Sequence, residues 1–223
     1  LVEPDRVHKR VYTDPEIFDL EMERIFGRAW LLLGHDSQVK APGDYFTTRM
    51  GKEPVVVTRK ENLEIGVLVN RCAHRGSKVC AEGRGNTERF VCPYHGWSYD
   101  TAGKLQAVPF ASGYDKGKLP EGLKVVPRVA VYRGFIFASL AESGENLESF
   151  LGPAKASLDD FVDRAPGGKL EVAGGVFKHA YNGNWKLMIE NHLDGAHPAW
   201  VHASSVAVAR GAPDPGPPGP SRD

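Results

Sequence analysis

Arg71-Cys72-Ala73-His74-Arg75-Gly76 and, further on, Cys92-Pro93-Tyr94-His95-Gly96-Trp97-Ser98-Tyr99-Asp100 are the words on which the reading of this chain turns. Each sets one thiol beside one imidazole: Cys72 with His74, then, after seventeen residues, Cys92 with His95. The sequence around both is β-like. Short runs of β-branched and aromatic residues at 45–49, 54–59 and 65–70 precede the first pair, and 90–91, 97–99 and 104–108 frame the second. Asp100-Thr101-Ala102-Gly103 reads as a hairpin turn, and 129–140 closes the β-domain. Residues 40–140 are therefore expected to form a small all-β domain with the Cys and His residues on two of its loops.

Two facing loops of this kind supply two thiolates to one iron and two imidazoles to another. That is the ligand set of a Rieske [2Fe–2S] centre. The same residues also add up to two Cys and two His for a structural zinc ion, or to four unrelated side chains. Zinc-finger spacing groups Cys with Cys and His with His, whereas each pair here is mixed, which favours the cluster. Cys80 lies outside both pairs and reads as a small buried hydrophobe. Three cysteines make no disulfide framework.

A second group of candidate residues lies in Asn184-Trp185-Lys186-Leu187-Met188-Ile189-Glu190-Asn191-His192-Leu193-Asp194-Gly195-Ala196-His197, which runs on through Pro198 to His202. Asn184 is a helix cap, and a helix is expected from Trp185 to about Gly195. Glu190, Asp194 and His197, at i, i+4 and i+7, then share one helix face, while His202 approaches from the segment after Pro198. Two histidines near carboxylates suit a mononuclear metal site, and a charged surface helix gives the same spacing.

Working outward, Asp14 and Pro15 start a helix whose apolar stripe is Phe18, Met22, Ile25, Phe26 and Ala29. A helical region from Leu147 to Val162 is expected to break at Gly152-Pro153, and a strand is expected at 175–181. Residues 211–220 are nearly all Gly, Ala, Pro and Asp, with five prolines between Pro213 and Pro220. That stretch reads as a linker or as the margin of a longer sequence, the second being favoured. The 223 residues carry 28 Lys plus Arg against 28 Asp plus Glu, so no basic surface for nucleic acid or an anionic membrane is expected. No apolar run approaches a membrane span, and the first residues lack the apolar core of a signal peptide, so a cytoplasmic location is expected.

The two Cys and His words resemble the Rieske domain of ring-hydroxylating oxygenase large (alpha) subunits. Respiratory Rieske proteins carry an extra disulfide-forming Cys in each box, and the second box here has Tyr94 at that place. The 184–202 stretch is similar to the opening of the same family's catalytic domain, so the likeness runs from the 18–30 helix to His202. It implies an α+β chain: a helical segment (1–39), an all-β Rieske domain (40–140) and the start of an α+β catalytic domain (141–223). It also implies that Cys72, His74, Cys92 and His95 hold a [2Fe–2S] cluster, and that His197 and His202 are two ligands of a mononuclear Fe(II). By the same resemblance, Asp194 joins a cluster histidine of a neighbouring subunit to His197, with Asn191 and Glu190 near the iron and the subunit boundary. The implied activity is O2-dependent hydroxylation of an aromatic ring. The implied electron source is NAD(P)H through a reductase, with or without a ferredoxin. The implied assembly is a trimer, with or without a small beta subunit. One departure stands out: a facial triad needs a carboxylate, and after His202 only Asp214 and Asp223 are present, neither a credible ligand. The rival readings are a stand-alone Rieske electron carrier, against which Asp194, His197 and His202 argue, and the zinc protein.

Overall fold

The computed structural model describes residues 1–211 and, of Lys116, the backbone alone. Asp214, Asp223 and most of the proline-rich stretch lie outside the described residues. Two compact units are present: residues 1–17 with the segment from Lys178 onward, and Phe18–Phe177.

The chain opens with a two-residue ladder, β1 (Val2–Glu3) and β2 (Arg6–Val7), and a single helical turn, α1 (Arg10–Thr13). Asp14 then caps α2 (Pro15–Glu21), its Oδ1 accepting from the Glu16 N–H at 3.0 Å. The expected helix does not run on as one α-helix. Residues Met22–Phe26 form a π-helical turn, and Ile25, an expected member of the apolar stripe, is exposed. One extra residue per turn rotates the side chains off a 3.6-residue stripe.

The larger unit is built from three small sheets. β4 (Asp44–Met50), β5 (Glu53–Arg59), β6 (Ile65–Val69) and β7 (Arg84–Asn86) form one, in the order β6-β5-β4-β7. β3 (Leu31–His35), β11 (Arg128–Tyr132) and β12 (Phe135–Ser139) form the second, with β12 central. The third joins β8 (Arg89–Val91), β9 (Ser98–Asp100) and β10 (Leu105–Ala107). In all three sheets the paired strands are antiparallel.

The valines of β5 explain how the sheets stack. Val55, Val56 and Val57 are all buried, so this strand is covered on both faces. Val55 and Val57 pack with Val67, Val69 and Ile136 toward the β3-β12-β11 sheet, and Val56 packs with Leu68, Phe90, Trp97 and Tyr99 toward the loops that carry the cysteines. Burying one such valine contributes roughly 1.5–3 kcal/mol before conformational entropy is deducted. The cysteine-bearing loops therefore rest on a rigid sheet.

Helices α3 (Leu147–Leu151) and α4 (Ala154–Asp163) are separated at Gly152 and Pro153 as expected. Leu147 is buried with Trp30 and Phe137, while Phe150 and Phe161 of the expected apolar face are exposed. The expected strand at 175–181 is absent: none of those residues belongs to a ladder among the described residues. A strand needs a neighbour, and the β-branched and aromatic residues there have none described. Asn184 caps α5 (Trp185–Leu193) as expected, and α6 (His197–Val201) and α7 (Ala203–Ala209) follow. Among the described residues no helix is long and apolar enough to cross a membrane.

Candidate metal centres

Cys72 and Cys92 each close a loop of the same design. The Cys72 N–H donates to the Ser77 carbonyl at 2.7 Å, and the Gly76 N–H donates back to the Cys72 carbonyl at 2.8 Å. In the second loop the Cys92 N–H donates to the Trp97 carbonyl at 2.8 Å, and the Gly96 N–H to the Cys92 carbonyl at 2.9 Å. Gly76 and Gly96 both take φ +71°, a left-handed conformation that costs a residue with a Cβ roughly 1–2 kcal/mol. So C-x-H and C-x2-H, unequal as words, are equal as loops.

The loops bring the two imidazoles together. The His74 and His95 rings lie 4.7 Å apart by centroid, and both thiols are buried. Nδ1 of His74 is buried with no hydrogen-bond partner, which is costly for a ring nitrogen unless a further atom is to be bound there. Burial, and then the neighbouring His95 and Arg75, lower the His74 pKa and favour the neutral imidazole that a metal takes. Two buried thiols and an orphaned imidazole nitrogen fit a group that binds sulfur and nitrogen. Among the described residues no three Cys, His, Asp or Glu side chains gather round one point. A Rieske cluster asks for two protein ligands per iron.

Three neighbours of these loops were not assigned a specific contact by sequence reasoning. Tyr99, fully buried, places its hydroxyl 3.1 Å from the Cys72 sulfur and accepts from the Ala73 N–H at 3.2 Å. Burial, then the Cys72 contact, pushes its pKa well above the ordinary phenol value, so the hydroxyl keeps its proton. Trp97, two residues earlier and so on the same side of an extended chain, lies parallel to His74, with centroids 4.8 Å apart and planes 3° apart. Asn70, buried, accepts from the N–H groups of Val79 and Cys80 and donates to the Cys80 carbonyl at 2.7 Å, anchoring the chain just beyond the first loop. Strand alternation puts Tyr99 and Trp97 on one side but does not name what either touches. A buried Asn beside the first word gives no sequence signal of its role.

In the smaller unit, Glu190, Asp194 and His197 do not share a continuous helix face. α5 ends at Leu193, and Asp194 takes extended geometry as its cap. The Asp194 carboxylate accepts from the Ala196 N–H at 2.7 Å, a local bond that competes with continued helix, and Gly195 eases the break. That bond is the main reason its carboxyl sits below the usual range. The turn still brings Asp194 Oδ2 to 3.3 Å from His197 Nδ1, and the His197 and His202 rings lie 5.6 Å apart. Pro198 lies in the first turn of α6, a newly started helical segment, and His202 caps its end. Glu190 is engaged elsewhere, both carboxylate oxygens accepting from the Tyr12 hydroxyl at 2.8 and 2.9 Å. Asn191 is exposed on α5 and makes no hydrogen bond to this group among the described residues.

Comparison with known proteins agrees with this geometry. Residues 29–131 match the family model of the Rieske [2Fe-2S] domain. Residues 29–131 are thus similar to a Rieske domain. Along most of its length it is also a relative of the alpha subunits of aromatic-ring dioxygenases. It is 42% identical over 210 residues to the chlorobenzene dioxygenase alpha subunit of Cupriavidus sp. strain PS12, covering 94% of this chain and 46% of that one. It is 42% identical over 208 residues to the toluate 1,2-dioxygenase alpha subunit of Pseudomonas putida, covering 91% and 46%. Naphthalene 1,2-dioxygenase from Rhodococcus sp. superposes with a TM-score of 0.80 at 38% identity, covering 88% of this chain and 45% of that one. A quaternary ammonium Rieske monooxygenase superposes at 0.77 with 25% identity, covering 89% and 55%. The chain spans about half the length of the relatives it matches.

Proposed function

We propose that this chain is the cluster-bearing part of an oxygenase that hydroxylates aromatic rings with O2. The observation that carries the reading is the coexistence of two ligand groups in one chain: the facing Cys72–His74 and Cys92–His95 loops, and the Asp194–His197–His202 turn. A stand-alone electron carrier has no use for the second group. The likeness to aromatic-ring dioxygenases, at 42% identity against 25% for the quaternary ammonium enzyme, supports an aromatic substrate.

Cys72 and Cys92 would hold one iron of the cluster as thiolates, and His74 and His95 the other as imidazoles. His197 and His202 would be two ligands of a mononuclear iron, the third ligand being unassigned among the described residues. When bound, these groups supply one-electron delivery and an open iron site for O2. The chain's own part is to position and to insulate. With Cys72 a thiolate, the Tyr99 hydroxyl 3.1 Å away would donate to its sulfur, and Trp97 covers His74. His95, the more exposed of the two imidazoles, is the better placed to meet the Asp194 carboxylate of an adjacent subunit, with His74 as the alternative. Asp194 in turn holds the Nδ1 side of His197. A bridge of that kind requires an oligomer, and a trimer, with or without a small beta subunit, is the assembly proposed. A reductase using NAD(P)H, with or without a ferredoxin, is the proposed electron donor in the cytoplasm.

The test is turnover. Supplied with reductase, NADH and a panel of benzene, toluate and naphthalene, an oxygenase built on the complete polypeptide should consume O2 and release hydroxylated product. Reduction of the cluster with no product from any aromatic compound would favour the carrier.

A further inference from the structure

At the end of β3 the buried His35 side chain caps the helical turn Asp36–Gln38, a task that falls more often to Ser, Thr, Asp or Asn. Its Nδ1 accepts from the Ser37 N–H at 3.2 Å, and the Gln38 side chain accepts from the His35 N–H at 2.8 Å. A backbone N–H can only donate, so Nδ1 carries no proton and the neutral ring keeps its hydrogen on Nε2. The Ser37 hydroxyl, 2.9 Å from Nδ1, therefore donates to it as well, and its lone pairs accept from the Val172 N–H at 3.0 Å. Through Ser37, one ring nitrogen thus fastens the segment 168–172, whose first four residues line a cleft of about 480 Å³ together with His35 and Gly134. The other edge of the ring is closed. Among the described residues Nε2 is buried without a partner, and a Cβ on Gly134 would stand 2.3 Å from it.

We propose that His35 is an acid-sensitive latch: neutral, it fastens the 168–172 segment through Ser37, and protonated, it lets that segment go. A second proton can add only at Nδ1. There it sets two N–H groups face to face and uncaps the turn that aims Ser37 at Val172. The imidazolium has another partner within reach, since Asp36 Oδ1 lies 3.3 Å from Nδ1. The other charged groups lining the cleft are Lys40, Arg59, Arg133, Lys169 and Glu171. Lys40 pairs with Glu171 at 2.9 Å, Arg133 pairs with Asp159 and Asp163, and Arg59 donates to the carbonyls of Val39, Leu63 and Asp36. Phe135 of β12 meets the ring edge-on and adds no charge. Cations outnumber carboxylates in the cleft, which opposes an imidazolium held in the latched position. The latch is independent of what the Cys and His loops hold.

Hydrogen exchange of the Val172 amide in the full-length protein, corrected for the intrinsic rate at each pH, tests this. With a released imidazole titrating at about 6.5, linkage makes protection fall about tenfold between about pH 7.5 and pH 5.5. Glu171, held by Lys40 below the usual carboxylate range, stays charged over that interval, so its ion pair does not add to the change. Amides of β5 should keep their protection throughout. His35→Asn retains an acceptor for the Ser37 N–H and cannot take a proton, so Val172 should stay protected at both pH values. Ser37→Ala removes the acceptor of the Val172 N–H and should leave that amide unprotected at both. Equal protection of Val172 at the two pH values in wild type would overturn the proposal, as would a tenfold fall in His35→Asn or a parallel fall in β5. Should His35→Asn fail to fold, Ser37→Ala decides: a tenfold dependence persisting there would overturn the proposal.

Discussion

Asp194 and His197 face each other across a helix break, carboxylate Oδ2 to ring Nδ1, at 3.3 Å. The contact depends on the break. Asp194 leaves the helix as its cap, turns one carboxylate oxygen to the Ala196 N–H, and is left with the other to offer the histidine. A carboxylate in that position orients an imidazole and makes it a better metal ligand.

Replacing Asp194 by Asn keeps the size and the bond to the Ala196 N–H but removes the charge. In an assembled oxygenase this should leave the Rieske signal intact while product formation falls by about 10- to 100-fold or more. Iron content, the cluster spectrum and product yield, measured on one sample, check it. Normal yield would end the bridging role.

Tyr99→Phe removes the hydroxyl next to the Cys72 sulfur and little else. A hydrogen bond to a cluster sulfur stabilises the more negative, reduced state, so its loss should lower the reduction potential. At about 1 kcal/mol for the bond and 59 mV per 1.4 kcal/mol for one electron, the drop is about 40 mV. Redox titration followed by visible absorbance gives the value directly.

Cys72→Ser and Cys92→Ser should each abolish the cluster and weaken the fold around it. A group that ties two loops together binds only the folded chain and so contributes to its stability. Each kcal/mol lost is worth about 2–4 °C in a chain of this size, and a fall of about 5 °C or more is expected. Thermal melting by circular dichroism, alongside iron analysis, measures both effects.

How much of this was legible beforehand depended on whether the signal was local. The Cys and His words, the Asp100–Gly103 turn, the break at Gly152 and the Asn184 cap are short-range chemistry, and each lies where the sequence puts it. Leu31–His35 was hidden because its residues look like the end of the preceding helix; only pairing with β12, a hundred residues later, makes it a strand. The 175–181 run failed for the opposite reason, having strand-forming residues and no ladder among those described. At Asp194 a periodic pattern was overruled by one side chain bonding to its own backbone. Tyr99 on Cys72 and Trp97 on His74 are tertiary contacts, and no spacing rule announces them.

Acid should weaken the β-domain partly through Asp44. Burial on its own would raise this carboxyl, but the Ala41 N–H at 2.8 Å and the Asn86 amide at 2.8 Å outweigh it and hold the pKa below the usual value. A carboxyl depressed by folding contributes fully above its unfolded pKa of about 3.9, and that contribution is lost as pH falls through the lower folded value. Asp44→Asn should therefore cost stability at neutral pH and flatten the acid limb of a plot of melting temperature against pH. Parallel curves for the two proteins would contradict it.

What Cys72, His74, Cys92 and His95 hold decides between a Rieske cluster and a zinc ion. Purified anaerobically and reduced, the protein should contain about two irons and two acid-labile sulfides per chain. It should be red-brown and give a Rieske-type electron paramagnetic resonance signal coupled to two histidine nitrogens. A colourless protein with one zinc per chain, or a cluster signal with no histidine coupling, would contradict it.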